Sequence, residues 1–298
     1  MHPICTLAFR PETLELPDGD FVDLCWSPGT KGPIVLVLHG LEGSIASPYA
    51  HGLLAALHTR GWRGVLMHFR GCSGRHNRLD RGYHSGDTGD IRFMVRTLRA
   101  RFPGTPLAAV GFSLGGNALL KYAGESGAET GLSAVAAVSV PYLLAKGAAR
   151  LDAGFSRLYQ WHLLHRLRRK IADKFRDREQ EVLGLTAAQL QRLDNFWKFD
   201  DAVTARLHGF NDVHDYYARS SSRQYLSGIR VPTLLIHASD DPFMTPAALP
   251  DAAELAPCVT IELSERGGHV GFVSGHLPWR SRYWLEERIP GYLGNHIQ

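Results

Sequence analysis

Residues 108–123, AAVGFSLGGNALLKYA, begin as a short apolar run, break over three glycines around a single serine, and resume with a helical period. Gly111-Phe112-Ser113-Leu114-Gly115 is a G-x-S-x-G pattern between a predicted strand and a predicted helix, the arrangement of a nucleophile elbow. So tight a turn requires small residues two before and two after the serine, and it lifts the hydroxyl above the sheet edge. The following helix directs the positive end of its dipole at the same spot, which favours a developing anion. A serine hydroxyl is a poor nucleophile at neutral pH, so a base and an acid that orients it are expected elsewhere in the chain.

Working outward, residues 13–26, TLELPDGDFVDLCW, place a Pro-Asp-Gly turn between two strand-like runs and predict an antiparallel hairpin. IVLVLHG reads as a fully buried parallel strand. A helix capped by Ser47, with Pro48 in its first turn and Gly61 at its end, follows. Strands at GVLMHF, LAAVG, AVAAVSV, TLLIHA and VTIEL alternate with helical segments, and YWLEERIPGYL reads as a closing helix. Such alternation predicts an α/β fold with a mainly parallel central sheet and helices on both faces. The pattern lapses between about Leu143 and Leu207, which predicts a helical insertion in one α/β domain spanning 1–298. Within it Phe155, Leu158, Tyr159 and His162, then Leu163, Leu164, Leu167 and Ile171, recur at helical spacing with basic residues between them.

The partners of Ser113 are sought in later loops, in the order acid then histidine. Asp240 and Asp241 follow the strand TLLIHA at its carboxyl end, where open α/β sheets build their sites. Asp241, beside Pro242, is the preferred acid; spacing alone leaves Asp240 open, because one residue along the chain redirects a side chain. Of the fifteen histidines, His269 lies in a glycine-flanked loop just beyond VTIEL and is the expected base. The two backbone donors for an oxyanion are expected from Leu114 N–H, next to the nucleophile, and Leu41 N–H, in the turn HGLEGS. His162 and His165, spaced i, i+3, lack a ligand cluster and read as packing or surface residues rather than a metal site.

At 298 residues, 44% hydrophobic and 21% charged, the chain can bury a large core. No segment has the apolar length of a membrane helix, and the N-terminus lacks a secretory pattern, so the cytoplasm is the expected compartment. Cys5, Cys25, Cys72 and Cys258 are scattered and read as free thiols. The net charge of +4 is mild, and its excess sits between Lys146 and Arg178 without a nucleic-acid motif. The loop FRGCSGRHN lacks the spacing of a phosphate loop. Arg70 is therefore expected in a wall of the crevice, and Asp87 and Asp90 at a helix start.

The segments LHGLEGS, FRGCSGRHNRLDRGYHSGDTGD, AAVGFSLGGNALLKY, FDDAVTARLHGFNDVHDYYARSS, HASDDPFMTP and GGHVGF together resemble the YheT-type group of α/β-hydrolases over nearly the whole chain. The resemblance implies the α/β-hydrolase fold with a helical cap. It implies hydrolysis of carboxylic esters, with acylglycerols and short- or medium-chain esters as substrates, and it places the catalytic positions on Ser113, Asp241 and His269. Neither metal nor organic cofactor is called for. A thioesterase or amidase shares the same chemistry, and a non-catalytic scaffold binding an apolar ligand is the reading from another class. Phe155, Tyr159 and Trp161 are expected to roof an acyl pocket. The basic residues among them read as a solvated face, an oligomer contact or, as the lesser reading, a contact with anionic lipid.

Overall fold

The computed structural model describes residues 7–29, 31–274 and 281–297; Cys5 lies outside them. Eight strands form one sheet: β1 (Arg10–Glu15), β2 (Phe21–Trp26), β3 (Ile34–Leu38), β4 (Arg63–Met67), β5 (Leu107–Phe112), β6 (Ala134–Val138), β7 (Thr233–Ala238) and β8 (Val259–Ser264). Their order is β1-β2-β4-β3-β5-β6-β7-β8, antiparallel over β1-β2-β4 and parallel from β4 to β8. The chain moves from β3 outward to β4 and then back across to β5, so β3 and β5 are neighbours whose exit loops diverge. That is the switch point at which open α/β sheets form a crevice. Leu38 pairs with Gly111, which brings the loop after β3 beside Ser113.

Alternation along the strands builds two cores. Ile34, Leu36 and Leu38 face α2 (Gly89–Arg101) and α3 (Leu114–Ser126), while Val35 and Val37 face α1 (Pro48–Thr59) and the closing helix Trp284–Gly294. Period-two burial on both faces explains why the strands read as continuous apolar runs. Ser47 precedes α1 as expected, but its hydroxyl accepts the Ser44 N–H instead of capping the helix.

Between β6 and β7 the chain runs through helices, beginning with α4 (Leu144–Leu151) and α5 (Ser156–Lys174) and ending with α6 (Val213–Ser220). Leu144, Leu164, Phe175, Phe196, Phe199, Tyr216 and Tyr217 give this layer its own apolar core. The helical layer thus continues past Leu207, and α6 packs into it. Its basic residues hold it to the sheet. Lys174 Nζ donates to Asn77 Oδ1 and to the Leu79 and Arg81 carbonyls. Lys170 Nζ lies 2.8 Å from Glu42 Oε1, and Arg166 donates to the Glu42 carbonyl at 2.9 Å. Three cations one helical turn apart therefore form a seam between α5 and the loops after β3 and β4.

Among the described residues Cys25, Cys72 and Cys258 are free, and no helix is long and apolar enough to cross a membrane. Lys174→Met removes a donor that serves three acceptors at the seam. It is expected to lower unfolding stability by about 1–3 kcal/mol in urea titration.

Candidate active site

Ser113 sits between β5 and α3 with φ 50° and ψ −118°, a backbone conformation that costs a non-glycine residue about 1–3 kcal/mol. Its neighbours impose that strain. A Cβ on Gly115 would lie 2.4 Å from the His39 carbonyl oxygen, and one on Gly111 would lie 2.5 Å from the Gly115 carbonyl oxygen. Only glycine at both places lets the first turn of α3 rest on the ends of β3 and β5.

His269 Nε2 lies 2.9 Å from Ser113 Oγ, and His269 Nδ1 lies 2.8 Å from Asp241 Oδ2. With Asp241 ionised, Nδ1 donates to it and Nε2 is left to accept the serine proton. Asp241 is buried, and its other oxygen accepts the Phe243 N–H at 2.8 Å. Asp240 points elsewhere: its Oδ1 accepts the Gly267 and Gly268 N–H groups at 2.9 and 2.8 Å. One aspartate thus meets the imidazole while its neighbour ties down the loop that carries it. The same loop is held by Val270 N–H donating to Ser139 Oγ, and the Phe243 ring stacks on His269 at 4.1 Å between centroids.

The loop after β3 has most of its donors occupied. Gly40 N–H donates to the Tyr49 hydroxyl, Glu42 N–H to the Tyr83 hydroxyl, and Gly43 N–H to the Gly40 carbonyl. Among the described residues the Leu41 N–H has no partner, and neither does the Leu114 N–H at the open start of α3. Leu41, Leu114, Ser113 and His269 border the same cavity. His39 is wholly buried behind that loop. Burial pushes its imidazole down to about 3, so it is neutral, with Nδ1 donating to the Gly40 carbonyl and Nε2 accepting the Phe69 N–H. The histidine-glycine pair after a buried strand was its only trace in the sequence.

The cavity has a volume of about 290 Å³ and lies between the sheet edge and the helical layer. Leu144, Leu151, Leu163, Leu167, Phe196 and Phe199 supply much of its apolar wall. Asp200, in a π-helical turn (Asp200–Ala205), also borders it; burial pushes its carboxyl up to about 6 although Thr204 and Tyr217 both donate to it. Arg70 borders the cavity as expected, but its guanidinium is engaged by Asp18, Asp20 and Asp90. Asp90 lies in the first turn of α2, and Asp87 precedes it, paired with Arg81. No group of three or more His, Cys, Asp or Glu side chains among the described residues could hold a metal ion.

Phe155, Tyr159 and Trp161 are not among the residues that line the cavity. They are 73%, 41% and 58% exposed. The inner face of early α5 is instead polar: Ser156 Oγ donates to the Pro242 carbonyl, and Gln160 bridges Asp152 Oδ1 and the Phe196 N–H. Polar groups whose bonds are satisfied can be buried, and they rotate the apolar stripe outward in the first two turns. From Leu163 onward the apolar residues turn inward as expected.

A family model for the alpha/beta hydrolase fold matches residues 33–275. The chain is 46% identical over 291 residues to the protein YheT of Escherichia coli (strain K12), covering 96% of this chain and 85% of that one. It is 28% identical to Phospholipase ABHD3 of Mus musculus, over 92% of this chain and 69% of that one. Among solved structures, a Pyrococcus furiosus esterase superposes with a TM-score of 0.64 at 16% identity, covering 98% of this chain and 92% of that one. The sheet order, the strained serine turn and a relative sharing nearly half its residues along nearly its whole length agree: the chain is an α/β-hydrolase enzyme and belongs to the YheT-type group of that family.

Proposed function

We propose that the protein is a serine hydrolase of carboxylic esters that works through an acyl-enzyme on short- or medium-chain esters or acylglycerols. Ser113 Oγ attacks the ester carbonyl while His269 Nε2 takes its proton. Asp241 holds the imidazole in the required tautomer and stabilises the imidazolium as it forms. Leu41 and Leu114 N–H groups donate to the tetrahedral oxyanion. The imidazolium then protonates the departing alcohol, and water activated by His269 releases the acid. The observation that supports this reading most is the continuous line Ser113–His269–Asp241, with links of 2.9 and 2.8 Å, at the edge of an apolar cavity.

The cavity argues for the substrate class. Its roughly 290 Å³ sits at the lower end of the ~300–1,000 Å³ found for small-molecule sites, which favours shorter acyl chains. The helical layer between β6 and β7 is the roof in this reading, with Leu163 and Leu167 of α5 against the acyl chain. One relative is named a phospholipase, and the Ser113–His269–Asp241 geometry here suits attack on a carboxylic ester. Thioesters and amides pass through the same tetrahedral state, and a comparison of matched substrates separates them.

Ser113→Ala is expected to reduce ester turnover by about 10⁴ to 10⁶ while the chain stays folded. The same change should abolish labelling by a fluorophosphonate probe. A wild-type chain that takes no label yet binds an apolar ligand tightly would instead be a non-catalytic scaffold.

Asp241→Asn should lower kcat by about 10⁴, because the amide favours the wrong histidine tautomer. Asp240→Asn keeps an oxygen to accept the Gly267 and Gly268 N–H groups and should cost no more than about ten-fold. Steady-state kinetics of the two variants rank the carboxylates, and the reverse order would move the orienting role to Asp240.

Leu163→Trp fills part of the cavity. It should shift the ratio of longer- to shorter-chain kcat/KM toward short esters by about ten-fold or more. On the same soluble p-nitrophenyl esters, Trp161→Ala should leave that ratio unchanged. A shift with Trp161 and none with Leu163 would restore the outer face of α5 as the acyl roof.

A further inference from the structure

Phe155, Leu158 and Trp161 expose 73%, 57% and 58% of their surface on one side of early α5. Soluble chains rarely leave so many large apolar side chains together in water without a use for them. Their position ties them to the reacting centre. Ser156 Oγ holds the start of α5 to the Pro242 carbonyl at 2.7 Å, immediately after Asp241. The Phe155 ring meets Tyr159, Tyr159 meets Phe243 at 5.1 Å, and Phe243 stacks on His269 at 4.1 Å. A chain of aromatic rings thus runs from solvent to the imidazole.

The chain around this ridge is predominantly basic. From Lys146 to Arg169 the chain carries Lys146, Arg150, Arg157, Arg166, Arg168 and Arg169 against a single acid, Asp152. Arg169 pairs with Asp173, Arg168 lies near Asp194 and Arg166 belongs to the seam, whereas Lys146, Arg150 and Arg157 have no carboxylate partner among the described residues. We propose that this face of α5 docks on an anionic lipid surface, with Phe155, Leu158 and Trp161 entering the headgroup–acyl boundary and the flanking cations meeting lipid phosphates. An apolar anchor and a basic patch together supply the two signals that stable peripheral attachment needs. A second copy of the chain is the poorer occupant, because a two-fold contact through this face would set like charges against each other. The proposal rests on the ester-hydrolase reading for its purpose: the ridge would present ester lipid to the cavity edge beside His269.

Full-length Ser113→Ala protein, which binds without turnover, is sedimented with vesicles of phosphatidylglycerol and phosphatidylcholine and with phosphatidylcholine alone. Binding is expected to the anionic vesicles. It should weaken between about 0.1 M and about 1 M salt, and about ten-fold or more in the double variant Arg157→Glu, Leu158→Ser. With Ser113 intact, the double variant should cleave a soluble short-chain ester at the wild-type rate. Absent binding, binding unchanged by the substitutions, equal binding to neutral vesicles, or a dimer broken by the same substitutions would each overturn the proposal. A chain that binds anionic vesicles yet cleaves no ester would uphold the docking face and sink the hydrolase reading.

Discussion

The contact on which the site depends is the seating of the first turn of α3 against the carbonyl ends of β3. Gly115 has no Cβ to strike the His39 and Leu38 oxygens, and Gly111 has none to strike the Gly115 carbonyl. Once seated, the helix leaves Ser113 no relaxed backbone, and its hydroxyl projects to the sheet edge. The same seating sets Leu114 and Leu41, each with an open N–H, on the border of one cavity, since β3 and β5 are hydrogen-bonded neighbours. A cost of about 1–3 kcal/mol in one dihedral pair is set against burial of most of α3, from Leu114 to Ala123. The strain persists because the packing around it over-determines the turn.

Around that seat the protein separates functions between adjacent residues. Asp241 and Asp240 are covalent neighbours with different work: one is buried and meets the imidazole, the other is exposed and pins two glycine N–H groups of the histidine loop. Tyr49 and Tyr83 likewise occupy the N–H groups on either side of Leu41, leaving the central one open. Neutral, buried His39 fixes the Gly40 carbonyl and so the turn itself. In the proposed reaction, preorganisation of this kind means that the donors need not reorient when charge develops.

The helical layer shows how a basic segment can be structural and exposed at once. Arg166, Lys170 and Lys174, one turn apart on α5, reach acceptors in the loops after β3 and β4. Other cations of the same helix, Arg157 and Arg169, remain at the surface. Net charge read along the chain could not divide the two groups, because the division follows the angle around the helix axis and what faces each angle.

Sequence alone determined the parallel sheet, the elbow and the fold family, because these are local or periodic: strands buried on both faces are continuous apolar runs, and a turn at van der Waals contact admits only glycine. The positions Ser113 and His269 were legible for the same reason, each marked by glycines at a strand end. Tertiary structure decided what depends on direction and on distant partners. It turned Asp241 rather than Asp240 toward His269, since adjacent side chains diverge and only the folded loop shows which one meets the ring. It also turned Phe155, Tyr159 and Trp161 away from the cavity. Helical spacing finds an apolar stripe but cannot see that Ser156 and Gln160, satisfied by Pro242, Asp152 and Phe196, would hold the inner face of α5 in its place.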